Sequence, residues 1–374
     1  MAKKPTPKKS GKSGAAKGSL SLFSRLLTGL AWVSVLLLCL CVGSMYVSPA
    51  VVPLFGILGL GFPFFWSAVL FMLLVCLLFV PRRSWIPLVG LLIGSVAAYN
   101  YCPINLSSPA PKGCLKVLTW NVQGFGGMKE DDRGKSLAAN YIRKCDADVV
   151  CFQEGWISKQ NLKKIKEQLK DCLPYMDTCQ IFENTFGVLS RYPIVGKEIL
   201  ARGYNNGAGV FLLKLKKGDT LRVVNCHLES MKLLPEDRTM WSKMVHDPDD
   251  NSMNEEQSKR LYTKITSSSA ARAEQADLIG DYVFRHRHLP LLVCGDFNDT
   301  PISYTHYRIG RDLTDAYRAT ANGIGRTFNR DAIYVRIDHM FCSDHWKPFS
   351  CRIDNKVKIS DHYPMTCYFK RVKP

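Results

Sequence analysis

The sequence predicts an α/β domain in which two packed mixed sheets are covered by helices on both outer faces, a four-layer α/β sandwich. An all-α transmembrane region precedes it. Three observations predict this. No charged residue occurs between Arg25 and Arg82, enough chain to cross a hydrocarbon core of about 30 Å more than once as helix. From Leu115 onward, apolar runs of strand length alternate with stretches of helical spacing. A Pro-, Ser- and Gly-rich stretch separates the two regions, as a linker does.

Residues 1–24 are mostly Lys, Ser, Gly and Pro with little to bury, and read as a disordered basic tail. Residues 25–101 form the membrane region, with three expected helices. Leu26–Tyr46 is almost uninterrupted apolar sequence, too long and too closely followed by more of the same for a cleaved signal peptide. Val51–Val80 is broken in its first half by Pro53, Gly56, Gly59, Gly61 and Pro63, so the firm span is Phe62–Val80. Trp85–Tyr101 is a third, shorter candidate. A soluble helical bundle would show a wet face, and none is present here. The basic tail and Arg82-Arg83 belong in the cytoplasm by the positive-inside rule, so three crossings put the following domain on the extracytoplasmic side of a cell or inner membrane. If Trp85–Tyr101 only lay in the interface, the domain would be cytoplasmic.

Residues 102–114 are the linker and 115–374 the folded domain. The chain has 374 residues and a formal charge of +18. Nine of its positive charges and none of its negative ones fall in residues 1–100, which leaves +9 on the remainder and suits an anionic ligand. Lys135–Cys145 and Asn161–Leu173 carry helical apolar spacing. Phe186–Val195 reads as strand, tight turn, strand, and Val210–Leu215 with Leu221–Asn225 as a hairpin turning at Lys216-Lys217-Gly218-Asp219. Ala270–Arg285 reads as a helix. The insertion near 231–269 before it reads as a lid, a specificity loop or a surface elaboration. Cys151, Cys226, Cys294, Cys342 and Cys367 sit in strand-like runs as small buried hydrophobes; Cys172 and Cys179 could close a small disulfide loop. No Cys-x-x-Cys pair marks a zinc site.

Chemistry enters where strand-like runs end. Leu291–Gly295 stops at Asp296-Phe297-Asn298, and residues two apart on extended chain share a face, so Asp296 and Asn298 converge while Phe297 packs away. Four more runs end likewise: Val117–Trp120 at Asn121, Ala147–Phe152 at Gln153-Glu154, Leu221–Val224 at Asn225-Cys226-His227, and Arg336–Phe341, holding Asp338, ahead of Ser360-Asp361-His362. Such residues hold divalent metals or move protons. In this order, from Leu115 to Phe369, they resemble the endonuclease/exonuclease/phosphatase superfamily of metal-dependent phosphodiesterases and phosphatases.

The resemblance implies the four-layer sandwich and a phosphoester hydrolase using Mg²⁺ or Mn²⁺, which favour oxygen ligands. Glu154 is the expected main metal ligand. Asn121 assists on metal or phosphate, and Asp361 reaches the metal from the opposite side. His362 is the expected acid/base, with Asp338 holding its other ring nitrogen. Asp296 orients or deprotonates the attacking water, Asn298 fixes it and donates to a phosphoryl oxygen, and His227 hydrogen-bonds the phosphate. His339, His246, His286 and His288 are left out, and Arg191 is expected to pair a buried carboxylate. Gln123 stands where abasic-site endonucleases place an Asp, which argues against DNA repair. The expected partners are the bilayer and an anionic phosphoester, either nucleic acid or a phospholipid head group. The alternative is an inactive membrane-tethered binding or scaffold module, against which the intact polar set argues.

Overall fold

The computed structural model describes residues 14–106, 108–215, 218–232, 236, 237, 239, 255–330 and 334–372. It divides into two compact units, residues 1–41 with 61–95, and residues 42–60 with 96–374.

The first unit is helical. A helix runs over Gly14–Gly43, so it starts inside the basic stretch read as tail; a second covers Phe62–Phe79, and a third Trp85–Tyr101. Leu22–Gly43 and Phe55–Phe79 are long and apolar enough to cross a membrane, with mean hydropathy 2.4 and 2.5. The third helix has 17 residues and packs through small ones. A Cβ on Gly90 would lie 2.7 Å from Val35, and one on Gly94 would lie 2.8 Å from Trp66, so this glycine pair lets helices approach closely.

The second unit contains the four layers. One sheet has the order β11-β12-β1-β2-β4-β3 and the other β5-β6-β7-β8-β10-β9. In the first, β1 is Leu115–Asn121, β2 Val149–Gln153, β3 Tyr175–Ile181, β4 Asn184–Ser190, β11 Trp346–Ile353 and β12 Met365–Arg371. In the second, β5 is Ile194–Arg202, β6 Gly207–Lys214, β7 Thr220–His227, β8 Leu291–Asp296, β9 Thr314–Asp315 and β10 Asp338–Cys342. Each sheet is centred on a parallel pair, β1 with β2 and β7 with β8, and these four strands are buried almost throughout.

Burial on both faces of the sheets defines the layers. Val117, Cys151, Phe186, Phe211, Leu292 and Met365 fill the space between the sheets. Ala138, Ile142, Ile165 and Leu169 come from the helices Leu137–Cys145 and Lys159–Leu169 and cover the first sheet. Ala276, Ile279 and Val283, from the helix Glu255–His286, cover the second.

That last helix begins at Glu255, fifteen residues before the sequence-based start at Ala270, so part of the insertion is helical. Most of the rest of the insertion, His246 included, lies outside the described residues. The strands flanking Tyr192-Pro193 belong to different sheets, so that turn is a crossover. Cys172 and Cys179 are both free thiols; Cys179 is core and Cys172 bonds the Leu169 carbonyl, so neither closes a loop.

Candidate active site

Strand direction assembles the site. Asn121, Gln153, His227 and Asp296 are the last residues of β1, β2, β7 and β8, all at C-terminal ends of parallel strands. β10 runs antiparallel to β8, so its first residue, Asp338, pairs in register with Asp296 at the same edge. Register also sets Asn121 beside Gln153 and His227 beside Asp296. Glu154 follows β2 in a left-handed conformation, φ +53°, which turns its carboxylate away from the strand's alternation. Asn298 has φ +52° and bends the chain back so that its NH meets the Asp296 carboxylate at 2.9 Å.

His362 Nδ1 bonds Asp338 Oδ2 at 2.8 Å, and its Nε2 lies 3.6 Å from Asp296 Oδ2. Asn121 donates from Nδ2 to Glu154 Oε1 at 2.9 Å and to Asp296 Oδ2 at 3.0 Å, joining the two carboxylates. His227 Nε2 stands 3.5 Å from Glu154 Oε1 and 3.9 Å from Asp296 Oδ2. Asn298 donates to the Leu228 carbonyl. Asp361 lies at the edge, accepting from Gln123 and 3.5 Å from Arg330. All eight residues singled out from the sequence thus stand in or beside one cluster, with Asp361 the outermost.

Burial and charge set the protonation. Burial opposes charge on His362, but Asp338 and Asp296 outweigh it and raise the imidazole to about 10. Asp296 is raised to about 6, chiefly by burial and against the pull of His362. Burial also works against the Glu154 charge, yet hydrogen bonding to His227 and Asn121 holds it at about 2. His227 is raised despite burial, because Glu154 and Asp296 face it. Asp296, Asp338 and His362 offer ligand atoms all within 4.8 Å of one another. Asp338 Oδ1 is buried without a hydrogen-bond partner, and such an orphaned carboxylate oxygen fits a cation.

Several residues of the site have no distinct signal in the sequence. Asn184 holds His227 Nδ1 at 2.8 Å and Asn206 approaches its Nε2 at 3.2 Å; the first opens β4 and the second immediately precedes β6, and both look like turn residues. Gln153 and Asn225 bond across the two sheets at 2.7 Å beneath the site. Trp156, 49% exposed, lies over Gly124 and beside Glu154. His339 faces away, its Nε2 donating to the Asp299 carbonyl at 2.9 Å, its ring packed on Phe297 and its pKa lowered by burial. Arg191 pairs with Asp146 and Asp148 as an ion-pair link. A cleft of about 530 Å³ is lined by Arg202, Tyr204, Glu229, Lys232, Lys264 and Gln275 among others.

The strand ends of the two sheets thus gather carboxylates, histidines and asparagines around a cluster that could hold a cation. The chain belongs to the endonuclease/exonuclease/phosphatase family, whose model matches residues 118–362. Residues 24–101 match a second model, a domain of unknown function (DUF8431). No curated protein sequence matches the chain. Among solved structures it is similar to a family protein of Bacteroides thetaiotaomicron at 18% identity, covering 70% of this chain and 98% of that one, with a TM-score of 0.46. The mannosyl-6-phosphatase Bt3783 of the same organism is 18% identical, with 68% and 99% covered and a TM-score of 0.44. The catalytic domain of human Nocturnin with bound sulfate is 18% identical, with 72% and 97% covered and a TM-score of 0.46.

Proposed function

We propose that the chain is a membrane-anchored, Mg²⁺- or Mn²⁺-dependent phosphodiesterase or phosphatase that hydrolyses phospholipid head groups by in-line attack of water. The observation that carries the reaction is the convergence of Asp296, Asp338 and His362 within 4.8 Å, with Glu154, Asn121 and His227 around them.

Glu154 would hold the cation with Asn121 and Asp361, and Asp296 and the unpartnered Asp338 Oδ1 add further oxygens. When bound, it supplies positive charge to the phosphoryl oxygens and acidifies water. Asp296 and His362, 3.6 Å apart, are close enough to bind the same attacking water. Asp296 takes its proton as the water oxygen bonds phosphorus and the bond to the departing oxygen breaks. Asp338 fixes the His362 ring and its charge. His227, held by Asn184 and with its pKa raised by its carboxylate neighbours, hydrogen-bonds a phosphoryl oxygen, and Asn298 fixes the loop and donates beside it.

The same reading puts the domain on the extracytoplasmic side. Residues 42–60 and the chain from Val96 onward lie in one compact unit, which supports reading them on one side of the membrane. Phe62–Phe79 and Trp85–Tyr101 between them then make two crossings, with Arg82-Arg83 at the far turn. Leu22–Gly43 carries the basic tail to that same far side, the cytoplasm by the positive-inside rule. A loop joining two spans lies at the bilayer surface, so the unit that contains it works where lipid head groups are.

Full-length protein in nanodiscs with Mg²⁺ tests the reading on choline- and inositol-lipid vesicles and on plasmid DNA in parallel. Lipid hydrolysis that is abolished by chelator, and lowered about a hundredfold or more by Asp296→Ala, is expected. Cleavage of DNA with lipid spared would replace the lipid substrate by nucleic acid. Chelator-insensitive equality of wild type and variant would leave an inactive module.

A further inference from the structure

The loop between the first two apolar helices is built into the catalytic unit. Ser44 Oγ donates to the Ile302 carbonyl at 3.0 Å in a buried contact. A Cβ on Gly59 would fall 2.1 Å from the same carbonyl oxygen and 2.7 Å from Ser44 Oγ, so only glycine fits there. A Cβ on Gly56 would fall 2.6 Å from Ser269 Cβ, and Ser269 Oγ reaches the Gly56 carbonyl at 3.5 Å. The Tyr46 and Tyr307 rings meet edge to face at 4.8 Å.

Each domain partner of this loop leads back to the site. Ile302 lies six residues beyond Asp296, in the segment that carries Asn298 and ends at Ser303, the cap of the helix Tyr304–Gly310. Ser269 Oγ accepts from Arg272 Nη2 at 2.9 Å. Arg272 is fully buried, and its other nitrogens reach Asp299 Oδ2 at 3.4 Å and the Glu229 carbonyl at 2.8 Å. Asp299 adjoins Asn298, and Glu229 stands two residues after His227. One buried guanidinium therefore clamps both segments that leave the site, and its hydroxyl partner is covered by Gly56.

We infer that the 42–60 loop is a positioning element of the active site, holding the Asp296–Ser303 and His227–Glu229 segments in register through Ile302 and the Ser269–Arg272 link. This gives the apolar region a role in turnover beyond anchoring. The inference rests on reading the Asp296–His362 cluster as the hydrolytic centre. Ser44, Gly59 and Ser269 touch no reacting atom under it, so their loss acts on geometry: turnover falls while binding of a small substrate is kept.

The test uses full-length protein in nanodiscs, with Mn²⁺ and bis(p-nitrophenyl) phosphate as the probe. Gly59→Val is expected to lower kcat about tenfold or more with KM little changed, since small misplacements of a catalytic group are costly in rate. Ser44→Ala should lower kcat severalfold, and Ser44→Thr, which keeps the hydroxyl, should restore it. Gly29→Val, in the first helix with nothing within 4 Å of the added carbon, should match wild type. A benzophenone side chain at Tyr46 should cross-link to the peptide containing Tyr307. Wild-type kcat in folded Gly59→Val, or in both Ser44→Ala and Ser269→Ala should Gly59→Val not fold, overturns the inference. If Asp296→Asn turns over like wild type, the hydrolytic reading itself falls. If Asp296→Asn is inactive and the loop variants are normal, only the positioning role falls.

Discussion

At the scale of residues, the site is a set of charges that hold one another in place. His362 sits between Asp338 and Asp296, and its raised pKa is also a statement about stability. In metal-free protein its contribution is fully present below its ordinary 6.5 and is lost as pH rises through about 10. Asp296, raised from 3.8 to about 6, acts in the same sense at lower pH: its contribution is complete below 3.8 and gone above about 6. Chelated protein should therefore lose stability, on the order of a few kcal/mol, between pH 6.5 and 10. Asp338→Asn should flatten that decline, and melting temperatures across the range check both. A flat wild-type profile would mean that the His362 charge is not held by these carboxylates. The polar character of these residues was legible in the sequence, because Asp, Asn and His at the ends of apolar runs are conspicuous. Asn184 and Asn206 were not, because an Asn at or just before the start of a strand is first of all a turn residue.

Among elements, the parallel pair β7 and β8 carries the most weight, since His227 and Asp296 end them side by side. Their approach depends on Gly295, which has φ +134° and where a Cβ would fall 2.0 Å from the Cys226 carbonyl oxygen. Gly295→Ala must push the strands apart or unbend β8, and is expected to cost about 3 kcal/mol or more, with activity lost along with stability. Urea unfolding measures the first, and an unchanged midpoint would show that the pair yields without penalty. Strands were easy to find from the sequence, because both central pairs are apolar on both faces and read as continuous runs. The assignment of β4 and β5 to different sheets was not, because a tight Tyr192-Pro193 turn looks the same in a hairpin and in a crossover.

For the whole molecule, the compact unit that holds the site also takes in residues 96–114. Arg336 is buried and donates to the carbonyls of Asn100 and Tyr101, which come from the end of the third helix, and also to that of Ile324. Asn105 bonds Asn322 and the carbonyls of Arg318 and Ala321. A protein cut at Lys112 leaves this guanidinium short of acceptors, a loss of about 1–3 kcal/mol or more, and should melt well below the full chain. Equal melting temperatures would make the 96–111 contacts energetically idle. Side of the membrane is read by Lys112→Cys in intact cells or spheroplasts. Labelling by an impermeant maleimide is expected, and labelling by permeant reagents alone would put the domain in the cytoplasm.

By itself the sequence determined the layered α/β class, the apolar helices and the order of polar residues at strand ends, because each depends on local periodicity and on which side chains water rejects. Only the tertiary structure decided which of those residues meet. Asp338 reaches Asp296 through antiparallel register, and Glu154 reaches Asn121 through a left-handed residue after β2. The Ser44–Ile302 contact joins residues 258 apart. Contacts between chain segments so distant depend on how the sheets stack and where loops dock, and no short-range pattern carries that information.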